Sequence, residues 1–150
     1  MEPVVIGLSL SLLLIGWIDW RWHRIWHVTT ISVSIIAFWS ASDLPTGSRA
    51  NALAGAMLAF MLFFLIWWIA NQWYQFAALG FGDVMLATAI GMIGGLYWGM
   101  WMLATGMLLA GIVSGLALYL NWRTRLDTIP YGSFLALCSL LGLLYFGCGR

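Results

Sequence analysis

Charge is almost missing from this chain, and where it does occur it falls in short clusters. Six arginines and five carboxylates are all that 150 residues provide, with no lysine. Charged residues make up 7% of the sequence, against roughly 25% in an average soluble domain. A water-facing globule cannot be covered with so little charge. Intrinsic disorder is excluded as well, because it needs low hydrophobicity and high net charge, whereas the mean hydropathy here is +0.96. A net charge of +1 leaves no basic patch, so no nucleic-acid partner is expected. The expected solvent is the lipid bilayer, and one domain over residues 1–150 is the reading by size.

A spanning helix needs about 20 mostly apolar residues, with about 17 as a lower limit. Charges and breakers together, with the polar-aromatic stretch Asn71–Phe76 after the third span and Gly94-Gly95 marking the break near the end of the fourth, predict an all-α, polytopic membrane protein of about six spans: Pro3–Ile18, Ile25–Ala41, Ala50–Ala70, Asp83–Trp98, Gly99–Leu120 and Ile129–Phe146. Met1-Glu2-Pro3 has no basic n-region and no small-residue cleavage site follows, so the first segment is expected to remain as a span. Arg21 and Arg24 lie in the first connection and Arg123 and Arg125 in the fifth, against Arg49 and Arg150 on the other side. The positive-inside rule then places connections 1–2, 3–4 and 5–6 in the cytoplasm and both termini outside. Trp17, Trp20, Trp22, Trp26, Trp98 and Trp101 fall near span ends, as an interfacial belt requires. Gly91, Gly94, Gly95, Gly106, Gly111 and Gly115 are expected to allow close helix approach.

Chemistry has few places to reside. Cys138 and Cys148 form no CxxC pair and read as small hydrophobes. His23 and His27 are four residues apart without the H-E-x-x-H pattern, so no metal site and no cofactor are expected. Of the carboxylates, Glu2 is terminal and Asp43 sits beside Pro45 and Gly47 in a turn. Asp19, Asp83 and Asp127 remain, all at the predicted cytoplasmic face. An ionisable group at the edge of an apolar span is a functional candidate. Asp83 follows Gly80-Phe81-Gly82, and its plainer reading is the start of a helix. Asp19 precedes Arg21 and Arg24, and its plainer reading is a solvated helix end. Asp127 reads as a turn residue before Ile129-Pro130, with a role as an alternative acid left open. If Asp19 and Asp83 converge, the two carboxylates share a proton. The charged member can then activate water while the protonated one polarises a carbonyl.

The stretch Gly80-Phe81-Gly82-Asp83-Val84-Met85-Leu86 resembles the Gly-x-Gly-Asp-Val-Lys-Leu signature of type IV prepilin peptidases, aspartic proteases of bacterial inner membranes. Asp19 followed by Arg24-Ile25-Trp26-His27 is similar to that family's Asp and Arg-Ile-Pro-Asn motif. Ile129-Pro130-Tyr131-Gly132-Ser133-Phe134-Leu135-Ala136 resembles its Ile-Pro-Phe-Gly-Pro-Phe-Leu-Ala motif. The resemblance implies Asp19 and Asp83 as the catalytic pair, with Gly80, Gly82, Arg24, Pro130 and Gly132 on the substrate. It implies a prepilin or pseudopilin precursor with a short basic leader, cut at the cytoplasmic face after a Gly. Met85 stands where the family has Lys, Trp26 and His27 where it has Pro and Asn, and Ser133 where it has Pro. The N-terminal CxxC region that accompanies methyltransferase activity in full-length members has no counterpart, so peptidase activity without methylation is expected. Two other readings stay open: an inactive relative that binds precursors or the assembly machinery, and an unrelated small transporter or channel.

Overall fold

The computed structural model describes residues 3–22, 25–73, 80–120 and 131–148. Six α-helices follow the six apolar segments: α1 (Pro3–Trp22), α2 (His27–Trp39), α3 (Arg49–Trp73), α4 (Phe81–Gly94), α5 (Met100–Tyr119) and α6 (Tyr131–Cys148). Among the described residues there is no strand. Three helical stretches, Pro3–Trp22, Arg49–Gln72 and Phe81–Ala117, are long and apolar enough to cross a membrane, while α2 and α6 are apolar but shorter. The third stretch does not run straight. A Cβ on Gly99 would lie 3.1 Å from Cα of Gly91, whereas eight residues of straight helix span about 12 Å. The chain reverses in the wide turn Gly95–Gly99, where Gly95 has φ +68° and ψ −162°, a conformation essentially confined to glycine. The break expected at Gly94-Gly95 is therefore a hairpin bend between α4 and α5.

The helix boundaries follow local chemistry. The carbonyl of Trp26 accepts hydrogen bonds from the amides of Thr29 and Thr30 and from the Thr29 hydroxyl, the last at 2.7 Å, so α2 starts after Trp26 rather than at Ile25. Between α2 and α3, the Thr46 hydroxyl donates to the Ala41 carbonyl at 2.6 Å and Gly47 turns the chain at φ +66°. Ser48 then caps α3, its hydroxyl accepting from the Asn51 amide at 3.2 Å.

α4 lies at the centre, packed against α2, α3 and α6. Val84, Leu86, Ala87, Ala89, Ile90 and Ile93 are all buried on it, so it has no face left for lipid along most of its length. α1 packs along α6 through Val5, Leu8, Leu12 and Ile15, one helical stripe. Lipid tails are as apolar as leucine, so burial drives helices together only weakly in a bilayer and close backbone contact must contribute. Gly55 of α3 meets Gly91 and Gly95 backbone to backbone, and a Cβ on Gly91 would lie 2.5 Å from the Gly55 carbonyl and 2.8 Å from Cβ of Ala59. Gly106 meets Leu135 of α6 so closely that a Cβ would lie 2.9 Å from Cδ2 of that leucine and 3.1 Å from its Cα. Gly111 and Gly115, expected to do the same, have nothing within 4 Å of a built Cβ. They lie on an open face of α5, because helical rotation turns them away from the α6 contact that Gly106 makes.

Gly91→Ala should destabilise the fold by about 1–3 kcal/mol, since the methyl meets backbone that cannot give way. Gly111→Ala should leave stability unchanged or raise it by up to about 1 kcal/mol. Paired thermal melts in detergent check both.

Candidate active site

The last turn of α1 carries Asp19, which is only 5% exposed. Close α1–α6 packing brings it to the start of α6, where Gly16 leaves just 3.3 Å between a Cβ and that of Ala136. The first amides of any helix have no partner within it, and Asp19 supplies one from another helix. Its Oδ2 accepts from the Ser133 amide at 2.8 Å and from the Ser133 hydroxyl at 3.0 Å. A carboxylate in this place is favoured by the helix dipole as well as by the hydrogen bonds.

Asp83 occupies the first turn of α4. Its Oδ2 accepts from the Gly80 amide at 3.2 Å, and its own amide donates to the Gly80 carbonyl at 3.0 Å. The plain reading of Asp83 as a helix-start residue thus describes one of its oxygens. The other, Oδ1, faces Gly132. A Cβ on Gly132 would stand 2.9 Å from Oδ2 of Asp19 and 3.0 Å from Oδ1 of Asp83. These distances hold the two oxygens within about 6 Å of each other, the range over which charges shift one another's ionisation. The hydrogen atom of Gly132 is all that fits between the carboxylates and Cδ1 of Ile25, 2.7 Å away on the third side. Gly82 is equally constrained, with Cβ of Ile25 only 2.9 Å from where its own would be.

The pair opens onto a cleft of about 610 Å³ lined by Asp19, Ile25, Trp26, His27, Val28 and the Gly80–Asp83 segment. Phe81 ties its rim together, edge-on to His27 of α2 at 6.2 Å and to Trp67 of α3 at 5.6 Å between ring centroids. Five of the residues singled out from sequence, Asp19, Asp83, Gly80, Gly82 and Gly132, therefore meet at one place. Arg24, Pro130, His23 and Asp127 lie outside the described residues. Asp43 sits in the α2–α3 connection, which follows the other end of α2. Among the described residues no three His, Cys, Asp or Glu side chains gather as a metal site would require. Sequence reasoning did not single out Ile25, Phe81 or the hydrogen bonds of Ser133. The position of Ser133 three residues after Pro130, where a helix would begin, was the signal for the last.

Residues 6–118 match the type IV leader peptidase family. The chain belongs to that family. The match includes both Asp19 and Asp83 and ends before α6. Three curated relatives agree, all prepilin leader peptidase/N-methyltransferases. The Haemophilus influenzae protein is 27% identical over 145 residues, covering 95% of this chain and 60% of the relative. The Pectobacterium carotovorum protein is 30% identical over 105 residues, covering 67% and 36%. The Xanthomonas campestris protein is 25% identical over 132 residues, covering 88% and 46%. The chain thus spans between about a third and three fifths of the length of these relatives. No solved structure matches it.

The Gly16–Ala136 contact can be tested directly. With Cys138 and Cys148 replaced by Ala, Gly16→Cys with Ala136→Cys should form a disulfide on mild oxidation. The Cβ separation of 3.3 Å needs only a small opening to enter the usual range of about 3.5–4.5 Å. Mass spectrometry of the digested protein should recover the linked α1–α6 peptide.

Proposed function

We propose that this chain is a membrane aspartic endopeptidase that removes the short basic leader from type IV prepilin or pseudopilin precursors. The observation that carries the reading is the meeting of Asp19 and Asp83 around Gly132 beside an open cleft, in a chain of the type IV leader peptidase family. In this reading the six helices are six spans, both termini face outward, and the aspartates lie at the cytoplasmic side of the bacterial inner membrane. Arg21 and Arg24 then stay on the side from which a basic leader arrives, in keeping with the arginine bias.

The mechanism follows from two carboxylates that share one proton. The ionised aspartate takes a proton from water as the oxygen attacks the scissile carbonyl carbon. The protonated aspartate gives its proton to the carbonyl oxygen, and a tetrahedral diol results. The first aspartate then gives its proton to the leaving amine while the second takes one from a diol hydroxyl; the C–N bond breaks, acid and amine leave, and the one-proton pair is restored. No side chain becomes covalently attached. Gly80 and Gly82 line the cleft without side chains of their own and offer backbone to an extended substrate there. Pro130 and Arg24 complete the substrate-binding set. Gly132, with no side chain, lets the two carboxylates come together beside the cleft.

Co-expression of a prepilin with wild type, Asp19→Asn, Asp83→Asn and Gly132→Ala in membranes tests this reading. Wild type should shorten the precursor, with a new N-terminus directly after a Gly by mass spectrometry. Each Asn variant should lose about 10²–10⁴ in rate, the usual contribution of a general acid or base. Gly132→Ala should lose about a hundredfold, because its methyl pushes the reacting groups apart. An uncut precursor with well-expressed wild type, or cutting that survives either Asn change, overturns the assignment.

A further inference from the structure

Hydroxyls buried in apolar helices usually spend their proton on their own helix. Ser11 donates to the Gly7 carbonyl, Ser34 to Thr30, Thr88 to Val84, Ser114 to Ala110 and Ser139 to Leu135, each four residues back. This is the cheapest way to satisfy a donor where water is absent. Ser133 departs from the pattern. Its hydroxyl crosses from α6 to α1, 3.0 Å from Oδ2 of Asp19 and 3.1 Å from the Gly16 carbonyl. Its amide reaches the same Oδ2 at 2.8 Å.

We infer that Ser133 is a positioning residue for Asp19, holding Oδ2 with two donors so that the other oxygen carries the proton chemistry. Two donors from one residue fix both the position and the plane of the carboxylate, whose terminal torsion is otherwise soft. Because Oδ2 is committed as an acceptor, Oδ1 of Asp19 is the oxygen that handles water and substrate. The Ser133 hydroxyl has one proton and two acceptors in reach. It donates to Oδ2 while Asp19 is charged and turns to the Gly16 carbonyl when the charge is neutralised. No heavy atom moves in that exchange. The support around Asp19 is therefore ready before the reaction and needs no reorganisation during it. A proline, which the family resemblance would place at 133, can donate neither hydrogen bond.

The inference rests on the aspartic peptidase reading, and one experiment separates the two. Purified chain in detergent is given a synthetic precursor peptide with a basic leader, a Gly at the cut and the first apolar residues beyond it. Steady-state rates are compared for wild type, Ser133→Ala, Ser133→Thr, Ser133→Pro and Asp19→Asn, with a thermal melt of each. Ser133→Ala should lower kcat about ten- to a hundredfold, the worth of a hydrogen bond to a charged group, with KM within about twofold. Ser133→Thr, which restores the hydroxyl, should recover most of kcat. Ser133→Pro, which removes the amide donor too but suits a first helical turn, should fall below Ser133→Ala. The inference is overturned if Ser133→Ala keeps the wild-type kcat while Asp19→Asn is inactive. It is also overturned if Ala and Thr variants lose activity alike in step with melting temperature, which is the mark of a packing role. A wild type that leaves the peptide whole, or an Asp19→Asn that cuts it, defeats the peptidase reading itself.

Discussion

Inside a bilayer every backbone amide and carbonyl must find its partner within the protein. Helices meet that demand everywhere except in their first and last turns. This constrains where buried carboxylates can be held. The two aspartates engage amides where α4 and α6 begin: Asp83 that of Gly80, just ahead of its own helix, and Asp19 that of Ser133 on another. A carboxylate is costly in apolar surroundings, and a helix N-terminus is where the fold can offset that cost with donors and a favourable dipole. The same groups that terminate the helices thus hold the acidic pair. The apolar lengths between them serve to bring three helix ends, those of α1, α4 and α6, to one point.

Bringing them there takes contacts that lipid cannot replace. α4 is enclosed by its neighbours and approaches α3 at the backbone through Gly55 and Gly91. α1 approaches α6 through Gly16 and Ala136. Asn51 reinforces the far end of this assembly. Its amide group donates to the Thr46 carbonyl at 2.8 Å and accepts from the Leu96 amide at 3.1 Å, joining the start of α3 to the turn after α4. A single polar side chain with both donors and acceptors suits that task, because it satisfies two backbone groups that two irregular segments would otherwise leave open.

Much of this was legible in the sequence. Charges and glycine breaks together marked the six helices seen among the described residues, and the scarcity of carboxylates reduced the candidates to a few, of which Asp19 and Asp83 do come together. Glycine was harder to read. Gly111 and Gly115 have the spacing of a packing motif yet lie open, while Gly55, in a plain apolar run, meets the backbone of Gly91 and Gly95. Spacing along one helix does not say which face meets a neighbour, and near-uniform hydrophobicity removes the polar face that would show it in a soluble protein. Ser133 stood out only as a departure from a motif. Its reach to Asp19 spans 114 residues of sequence and depends on the α1–α6 register, which no local pattern records.

The backbone contact between Gly55 and Gly91 lies at the end of α4 remote from its aspartate. From Gly91 back to Asp83 the helix is about 12 Å long. Clamped at one end by main chain and bordered at the other by the side chains of Ile25 and Phe81, α4 is a lever whose pivot is the glycine contact. A tilt of about 5° there carries the Asp83 end through about 1 Å. Misplacement on that scale is enough to spoil an arrangement of reacting groups. The spacing of the two aspartates is therefore set by the stiffness of a joint two helical turns away from Asp83.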